Sequence, residues 1–303
     1  MSHFLNKLQD NIQGRVLPAE KMANHTTWRI GGPAEVLVVP QNRADVITAL
    51  QAAAEFHKPV TVIGNGSNLL VADQGIPGLV LKMAGGLDRL EISGETVYAE
   101  SGCLMPGLVR RTVEHGLAGL EFAAGIPASL GGALSMNAGA HGGAVGGFVQ
   151  EVQACNYRGE QVVLGARDCK FDYRKSIFQT EEYVVLAATL KLNPGDSGLS
   201  RNLIKDYLAK RSSSQPLEYP NAGSVFTNPP GNSAGRLIEQ AGGKGKEVGG
   251  ARVSDKHANF IVNTGNATAS DVARLINLVQ ELVYAKFKIE LHPEIKCLGC
   301  PRE

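Results

Sequence analysis

The stretch VIGNGSNLLV, Val62 to Val71, carries a short apolar run into a loop of Gly64, Asn65, Gly66, Ser67 and Asn68. Such a loop brings backbone N–H groups up to an anion, often a phosphate. It has neither the lysine of a P-loop nor the third glycine of a GxGxxG dinucleotide fingerprint. No other position supplies that fingerprint. Alone, the loop supports an anion and nothing more specific.

A second glycine-rich segment changes the weighing. It runs from Leu120 to Gly143, LEFAAGIPASLGGALSMNAGAHGG. Pro127 reads as the first position of a short helix, PASLGGALSMN, with Gly125 and Ile126 before it. A helix N-terminus set among glycines offers free N–H groups and a positive dipole end to an anion. Gly131 and Gly132 weaken that helix, so something approaches its face closely. Asn137, Ala138 and Gly139 then end it. Tight helix packing followed by a turn would use the same glycines. Two such segments in one domain point instead to a bulky ligand with a diphosphate lying across both.

The rest of the chain frames these loops. Its 303 residues, 43% hydrophobic and 19% charged, suit a globular protein of two or three domains. With 30 basic against 29 acidic residues and 6% aromatics, it carries no footprint for nucleic acid or an anionic membrane surface. The N-terminus lacks a signal-peptide pattern and no apolar run spans a bilayer, so a cytoplasmic location is expected. Residues 1–20 read as a helix and a connection. Strand-like and helical segments follow: VLVVP (36–40), a helix capped by Asn42, PVTVI (59–63), GLVLKM (78–83), a hairpin turning at Ser93-Gly94 and a helix stopped by Gly116. Strands return over 148–192. NPGDSGLS (193–200) is a cluster of turn-formers, and beyond it lie two helices, a strand (ANFIVNT) and an amphipathic helix from Ser270. The class is α+β, with mixed sheets and short crossovers. Cys103, Cys155 and Cys169 read as buried apolar side chains. Cys297 and Cys300 form a CxxC without the two further ligands that a structural zinc site needs, so no metal site is expected.

GNGSNLLV followed by GIPASLGGALSMNAGAHG resembles the flavin-binding domain of the UDP-N-acetylenolpyruvoylglucosamine reductases, also called UDP-N-acetylmuramate dehydrogenases. The resemblance runs from TTWRIGGPAEVLV to LHPEIKCLG, nearly the whole chain. It implies a non-Rossmann FAD-binding domain of two α/β subdomains, with the vanillyl-alcohol-oxidase-like flavin fold, over residues 27–192. A C-terminal α+β substrate domain would span 200–303, and 1–26 would be an N-terminal helix and connection. FAD would be held non-covalently by Gly64, Asn65, Gly66, Ser67, Asn68 and by Gly125, Ile126, Pro127, Gly131, Gly132, Asn137, Ala138 and Gly139. NADPH would be a co-substrate that visits the substrate cleft, and the partner is the small-molecule substrate, UDP-N-acetylglucosamine enolpyruvate. The implied role lies in peptidoglycan precursor synthesis, hence cell-wall biogenesis, cell shape and cell division. No long insertion separates the YRxS segment from YVVLAATL, which matches the form of the family without the extra substrate-covering loop.

Three segments then take catalytic roles by resemblance. Phe171-Asp-Tyr-Arg-Lys-Ser-Ile-Phe178 matches the family's FxYRxSxF and puts the catalytic arginine at Arg174, with Tyr173 at the substrate. A guanidinium fork suits a carboxylate. Asn221-Ala-Gly-Ser-Val-Phe-Thr-Asn-Pro229 resembles NAGSxFKNP, with Ser224 as proton donor and Asn228 at the substrate. Thr227 stands where a basic residue is expected. Leu291-His-Pro-Glu-Ile295 resembles LxPEV/I, with Glu294 as the catalytic glutamate. GGKGKEVGGARVS supplies Lys244 for the UDP diphosphate. The resemblance implies hydride delivery from reduced FAD to the vinyl carbon, electrostatic support from Arg174 and Glu294, and protonation of the α-carbon by Ser224. Two rivals stand beside this reading. One is an oxidase or dehydrogenase of the same flavin fold group, with flavin tethered through His141; the other is a non-catalytic flavin-binding sensor or carrier.

Overall fold

The computed structural model describes residues 3–299. The chain divides into two compact units. The first takes the chain up to Pro18, then Glu35–Asn65 and Gly78–Lys210; the second takes Ala19–Ala34, Gly66–Pro77 and the chain from Arg211 on. These bounds differ from the contiguous domains that chain order suggests, because apolar burial decides membership. Trp28, Ile30 and Leu70 share one core with Phe226, Val272 and Leu275.

In the first unit, α1 (His3–Asn11) and α2 (Arg43–Glu55) pack against a four-stranded sheet. Its order is β1-β2-β5-β3, comprising Arg15–Lys21, Pro33–Val39, Ile76–Lys82 and Val60–Ile63. Phe4, Leu8, Val46 and Leu50 meet Val36, Val38, Leu79 and Leu81 there. Asn42 caps α2 as expected, its side chain accepting from Asp45 N–H at 2.9 Å. Residues 15–21 form a strand where a connection was expected. β1 is an edge strand with Pro18 inside it and no buried side chain, a position where proline is tolerated and apolar alternation is absent.

A second, antiparallel sheet has the order β12-β11-β13-β7-β6: Gln161–Gly165, Val149–Asn156, Tyr183–Lys191, Thr96–Glu100 and Leu90–Ser93. Against it pack α3 (Met105–Glu114) and α4 (Leu130–Ser135). Two-residue ribbons finish the unit: β8 (Leu117–Ala118) with β14 (Asn193–Pro194), and β9 (Gly139–Ala140) with β10 (Gly143–Ala144). Helix α5 (Ser197–Ser214) follows without a break after the turn-formers, and Ile204 and Tyr207 pack on this unit's core.

The second unit carries β4 (Leu69–Val71) beside β18 (Lys296–Leu298), and the three-stranded sheet β15-β16-β17 (Glu247–Val248, Ala251–Val253, Ile261–Asn263). Helices α6 (Ala234–Gln240) and α7 (Ala269–Phe287) cover its core. α7 opens with a capping box between Thr268 and Asp271, and buries Val272, Leu275, Ile276, Val279 and Val283 along its apolar stripe. Trp28 is fully buried, and its indole N–H donates to Ile261 O at 2.8 Å. No helix among the described residues is long and apolar enough to cross a membrane.

Candidate active site

The two glycine-rich segments meet within the first unit. A Cβ at Gly64 would sit 2.5 Å from Ser129 Oγ and 3.5 Å from Gly132 Cα. Asn65 Nδ2 donates to Pro127 O at 2.8 Å. The loop after β3 is therefore seated on the start of α4, backbone to backbone. The expected helix start at Pro127 is corrected: α4 begins at Leu130, with Ser129 as its N-cap accepting from Gly132 N–H at 3.5 Å. Ala128 O accepts from Met105 N–H, and Ser129 bridges Leu104. These bonds hold 127–129 extended and delay the helix.

Gly131 and Gly132 answer the question of close approach. A Cβ on Gly131 would be 2.9 Å from Ser101 Cβ, and Gly131 N–H donates to Ser101 O at 2.9 Å. Gly132 faces Gly64 and Ser129. The close neighbours are thus the protein's own chain. Gly139 lies under Gly143 O, 2.4 Å from where its Cβ would be. Ala138 is buried and donates to Ala133 O at 2.7 Å, while Ile126 donates to Ala123 O at 3.0 Å. Gly64, Gly125, Gly131, Gly132 and Gly139 are all half-exposed. The result is a surface of bare backbone, the kind that admits a diphosphate closely.

Asn137 joins this surface to the arginine segment. It adopts φ +39, its Nδ2 donates to Asp172 O at 2.9 Å, and its Oδ1 accepts from Gly146 N–H at 2.9 Å. Asp172 and Lys175 exchange both backbone hydrogen bonds at 3.1 Å, which leaves Tyr173 and Arg174 at the tip of a tight turn. Arg174 has φ +55, a backbone state that costs a side-chain-bearing residue about 1–2 kcal/mol. It is held there by Gln179, whose Nε2 donates to Arg174 O at 2.9 Å and to Ser135 O at 2.7 Å. Ser176 Oγ donates to Ser135 O as well, at 2.7 Å. The Arg174 guanidinium lies 5.8 Å from the ring centre of the exposed Tyr173. Strain kept in place by surrounding bonds is common where a side chain must be aimed. His141 also belongs to this unit; it stacks on Tyr207 with ring centres 3.9 Å apart.

In the second unit, backbone pairing brings Ser224 beside Glu294. Glu294 N–H donates to Val225 O at 2.7 Å, Phe226 bridges Pro293, and Thr227 N–H donates to His292 O at 3.0 Å. Asn259, buried, acts as a substitute strand: its Oδ1 accepts from Phe226 N–H at 2.9 Å and its Nδ2 donates to Phe226 O at 2.8 Å. Val225 N–H donates to Asn259 O at 2.8 Å. Gly223, with φ +77, turns the chain into Ser224 after an Asx turn from Asn221. Among the described residues, no group hydrogen-bonds the half-exposed Ser224 hydroxyl.

The later part of the glycine loop belongs to this unit too. Asn68 Nδ2 donates to Glu294 O at 3.2 Å, and Lys296 N–H donates to Asn68 O at 3.0 Å. Gly66, with φ +68, accepts from Thr27 N–H at 3.1 Å; a Cβ there would strike His25 O. Ser67 is half-exposed beside it. Thr227 Oγ1 donates to His292 O at 3.2 Å, so the residue in the expected basic position serves the backbone. Asn228 Oδ1 accepts from Ala234 N–H at 3.0 Å at the start of α6. Lys244 Nζ bonds Glu239 at 2.7 Å. Nearby His257 is held below the ordinary histidine range, chiefly by burial, with the Lys244 charge acting in the same direction.

Several supporting residues escaped the sequence reading: Ser129, Gln179, Ser101 and Asn259. Ser129 had a signal, since serine three residues before the end of a glycine-rich helix start is a capping residue. Asn259 lies in HANFIVN, where one amide inside an apolar run implies a buried hydrogen-bond partner. Gln179 and Ser101 act through contacts that local pattern does not encode.

A bare-backbone cradle in an α+β domain, followed by a domain that presents a serine and a glutamate, defines a flavin-dependent oxidoreductase. Residues 34–165 match the family model described as FAD binding domain, and residues 215–298 match the C-terminal domain of UDP-N-acetylenolpyruvoylglucosamine reductase. The UDP-N-acetylenolpyruvoylglucosamine reductase of Carboxydothermus hydrogenoformans is 46% identical over 294 residues, covering 97% of each chain. That of Moorella thermoacetica is 46% identical over 299 residues, covering 99% of this chain and 98% of its own. The crystal structure of the same reductase from Thermus caldophilus superposes with a TM-score of 0.82 at 35% identity, over 95% of this chain and 100% of its own. Beyond the family, a Bermuda grass pollen isoallergen shares the fold alone, with a TM-score of 0.50 and 18% identity over 63% of this chain.

The chain belongs to the UDP-N-acetylenolpyruvoylglucosamine reductase family. It is an oxidoreductase whose cofactor is FAD, held in a non-Rossmann domain ahead of a C-terminal α+β domain.

Proposed function

We propose that this chain reduces UDP-N-acetylglucosamine enolpyruvate to UDP-N-acetylmuramate with NADPH, and that Ser224 supplies the proton. The observation that carries the reading is the 2.7 Å bond from Glu294 N–H to Val225 O, which sets a free hydroxyl and a carboxylate side by side. The chemistry that FAD supplies when bound is hydride transfer, from NADPH and then to the terminal vinyl carbon of the substrate. Gly64 to Asn68, Gly125 to Pro127, Gly131, Gly132 and Asn137 to Gly139 would hold it. Arg174 clamps the substrate carboxylate and stabilises the charge that builds there as the vinyl carbon is reduced. Ser224 Oγ–H gives its proton to the α-carbon, and Glu294 polarises the same carboxylate and helps orient the donor. Lys244 contacts the UDP diphosphate when its bond to Glu239 is shared or opened, and Tyr173 and Asn228 line the substrate. The same proposal includes a cytoplasmic place in peptidoglycan synthesis, and through it in cell shape and division.

The test is an anaerobic titration. NADPH should bleach the flavin absorbance, and the enolpyruvyl UDP-sugar should restore it with one UDP-N-acetylmuramate formed per flavin. Flavin that stays oxidised with NADPH, or stays reduced with the substrate, would overturn the proposal.

A further inference from the structure

Cys103, Cys155 and Cys169 are free and buried, and burial pushes each thiol up to about 11. Such thiols stay protonated and inert. Cys297 differs in being exposed and disulfide-bonded. It sits in β18, paired in parallel with Leu70 of β4. Cys300 lies outside the described residues and enters from the sequence, as the fifth cysteine, at the end of CLGC. Gly299 has φ +72, the backbone that glycine supplies at the third residue of a tight turn. A four-residue turn of this kind brings its first and fourth Cα atoms within about 7 Å, and disulfides span up to about that distance.

We propose that Cys297 and Cys300 form a thiol–disulfide exchange site, open to low-molecular-weight thiols and disulfides, that latches the strand leading out of the Glu294 segment. Disulfides on exposed chain are the labile kind. In opening, a thiolate RS⁻ attacks one sulfur of the pair, forming a mixed disulfide and releasing the other cysteine as a thiolate. A second RS⁻ attacks the mixed disulfide, so RSSR leaves and both cysteines end as thiols, carrying the two protons of the two RSH. RSSR reverses the sequence and reoxidises the pair.

The latch has something to hold. Asn68 donates to Glu294 O and accepts from Lys296 N–H, Ala72 N–H donates to Leu298 O at 2.9 Å, and Gln74 Nε2 donates to Gly299 O at 2.9 Å. A Cβ on Gly299 would lie 2.1 Å from Gly75 O, so the turn is packed against its neighbour. Closing the disulfide ties off the outer end of this ladder. Opening it leaves hydrogen bonds alone to hold the strand, which then frays from Gly299 inward.

The holoenzyme should be treated with iodoacetamide under native conditions, with and without dithiothreitol. Peptide mass spectrometry should find Cys297 and Cys300 alkylated only after reduction, and oxidised glutathione should reverse this. Amide exchange over 296–298 should quicken by roughly threefold or more on reduction, as for other frayed strand ends. Cys300→Ser should show the fast exchange in either redox state. Alkylation of both cysteines in glutathione-oxidised protein, a link between two chains on a non-reducing gel, zinc retained through chelator treatment, or exchange unchanged by reduction would each overturn the proposal.

Discussion

A methyl group added at Gly64 would come within 2.5 Å of Ser129 Oγ, and one at Gly131 within 2.9 Å of Ser101 Cβ. In the second unit the sensitive position is Ser224, where one hydroxyl is the feature, held in place by main-chain bonds at Val225 and Phe226. The flavin side of this protein works by leaving side chains out; the proton side works by fixing one side chain firmly. Additions should therefore damage the first region, and deletions the second. Arg174 is the exception in the first unit, a side chain kept in a backbone state that suits glycine.

Arg174→Gly probes that exception, and its effect should be the largest. Turnover should fall by about 10²–10³-fold, as when a group is removed from a developing charge. Stability in urea should nevertheless rise, by up to about 1 kcal/mol, since glycine relieves the positive φ at a small entropic cost. A loss of stability would mean that the arginine builds the turn instead of being strained by it.

Asn259→Ala comes next. It leaves the N–H and C=O of Phe226 without partners in a buried place, costing about 2–3 kcal/mol in a denaturation curve. Turnover should drop with it while flavin content stays normal. Gly131→Val should do the reverse. Overpacking of about 1–3 kcal/mol against Ser101 should weaken FAD binding about tenfold or more, and added FAD should restore most of the turnover. If Gly131→Val binds FAD normally and loses turnover, the contrast between the two regions fails.

The smallest effect concerns His257. Its folded value lies below the ordinary 6.5, mainly because of burial, so the fold prefers the neutral ring. That contribution to stability is complete above about pH 6.5 and is lost as pH falls through the folded value. Melting temperature measured from pH 7.5 down to 5 should decline less steeply in His257→Gln than in the unchanged protein.

Much of this was legible from local pattern. Asn42 announced the start of α2, and the spacing of Val272, Leu275, Ile276, Val279 and Val283 announced the buried face of α7. The glycine loops were visible as sites of close approach, although the sequence could not say that Ser101 would be the neighbour of Gly131. What stayed hidden is non-local. β1 is an edge strand without apolar alternation, and Trp28 joins a core whose other members lie some two hundred residues later. The start of α4 shifted because Ala128 and Ser129 pair with Leu104 and Met105, a contact outside any window of sequence. The adjacency of Ser224 and Glu294 has the same character. Each segment could be matched by resemblance, while their meeting depends on a backbone pairing between distant strands.

That meeting is the central claim, and one rapid-mixing measurement bears on it directly. Ser224→Ala should be reduced by NADPH at the rate of the unchanged enzyme, because the hydride step into the flavin does not use the hydroxyl. On mixing with the enolpyruvyl UDP-sugar, its flavin should reoxidise about 10²–10⁴-fold more slowly, the range for loss of a proton donor. Reoxidation at the unchanged rate, with product formed, would contradict the assignment of Ser224 as the donor.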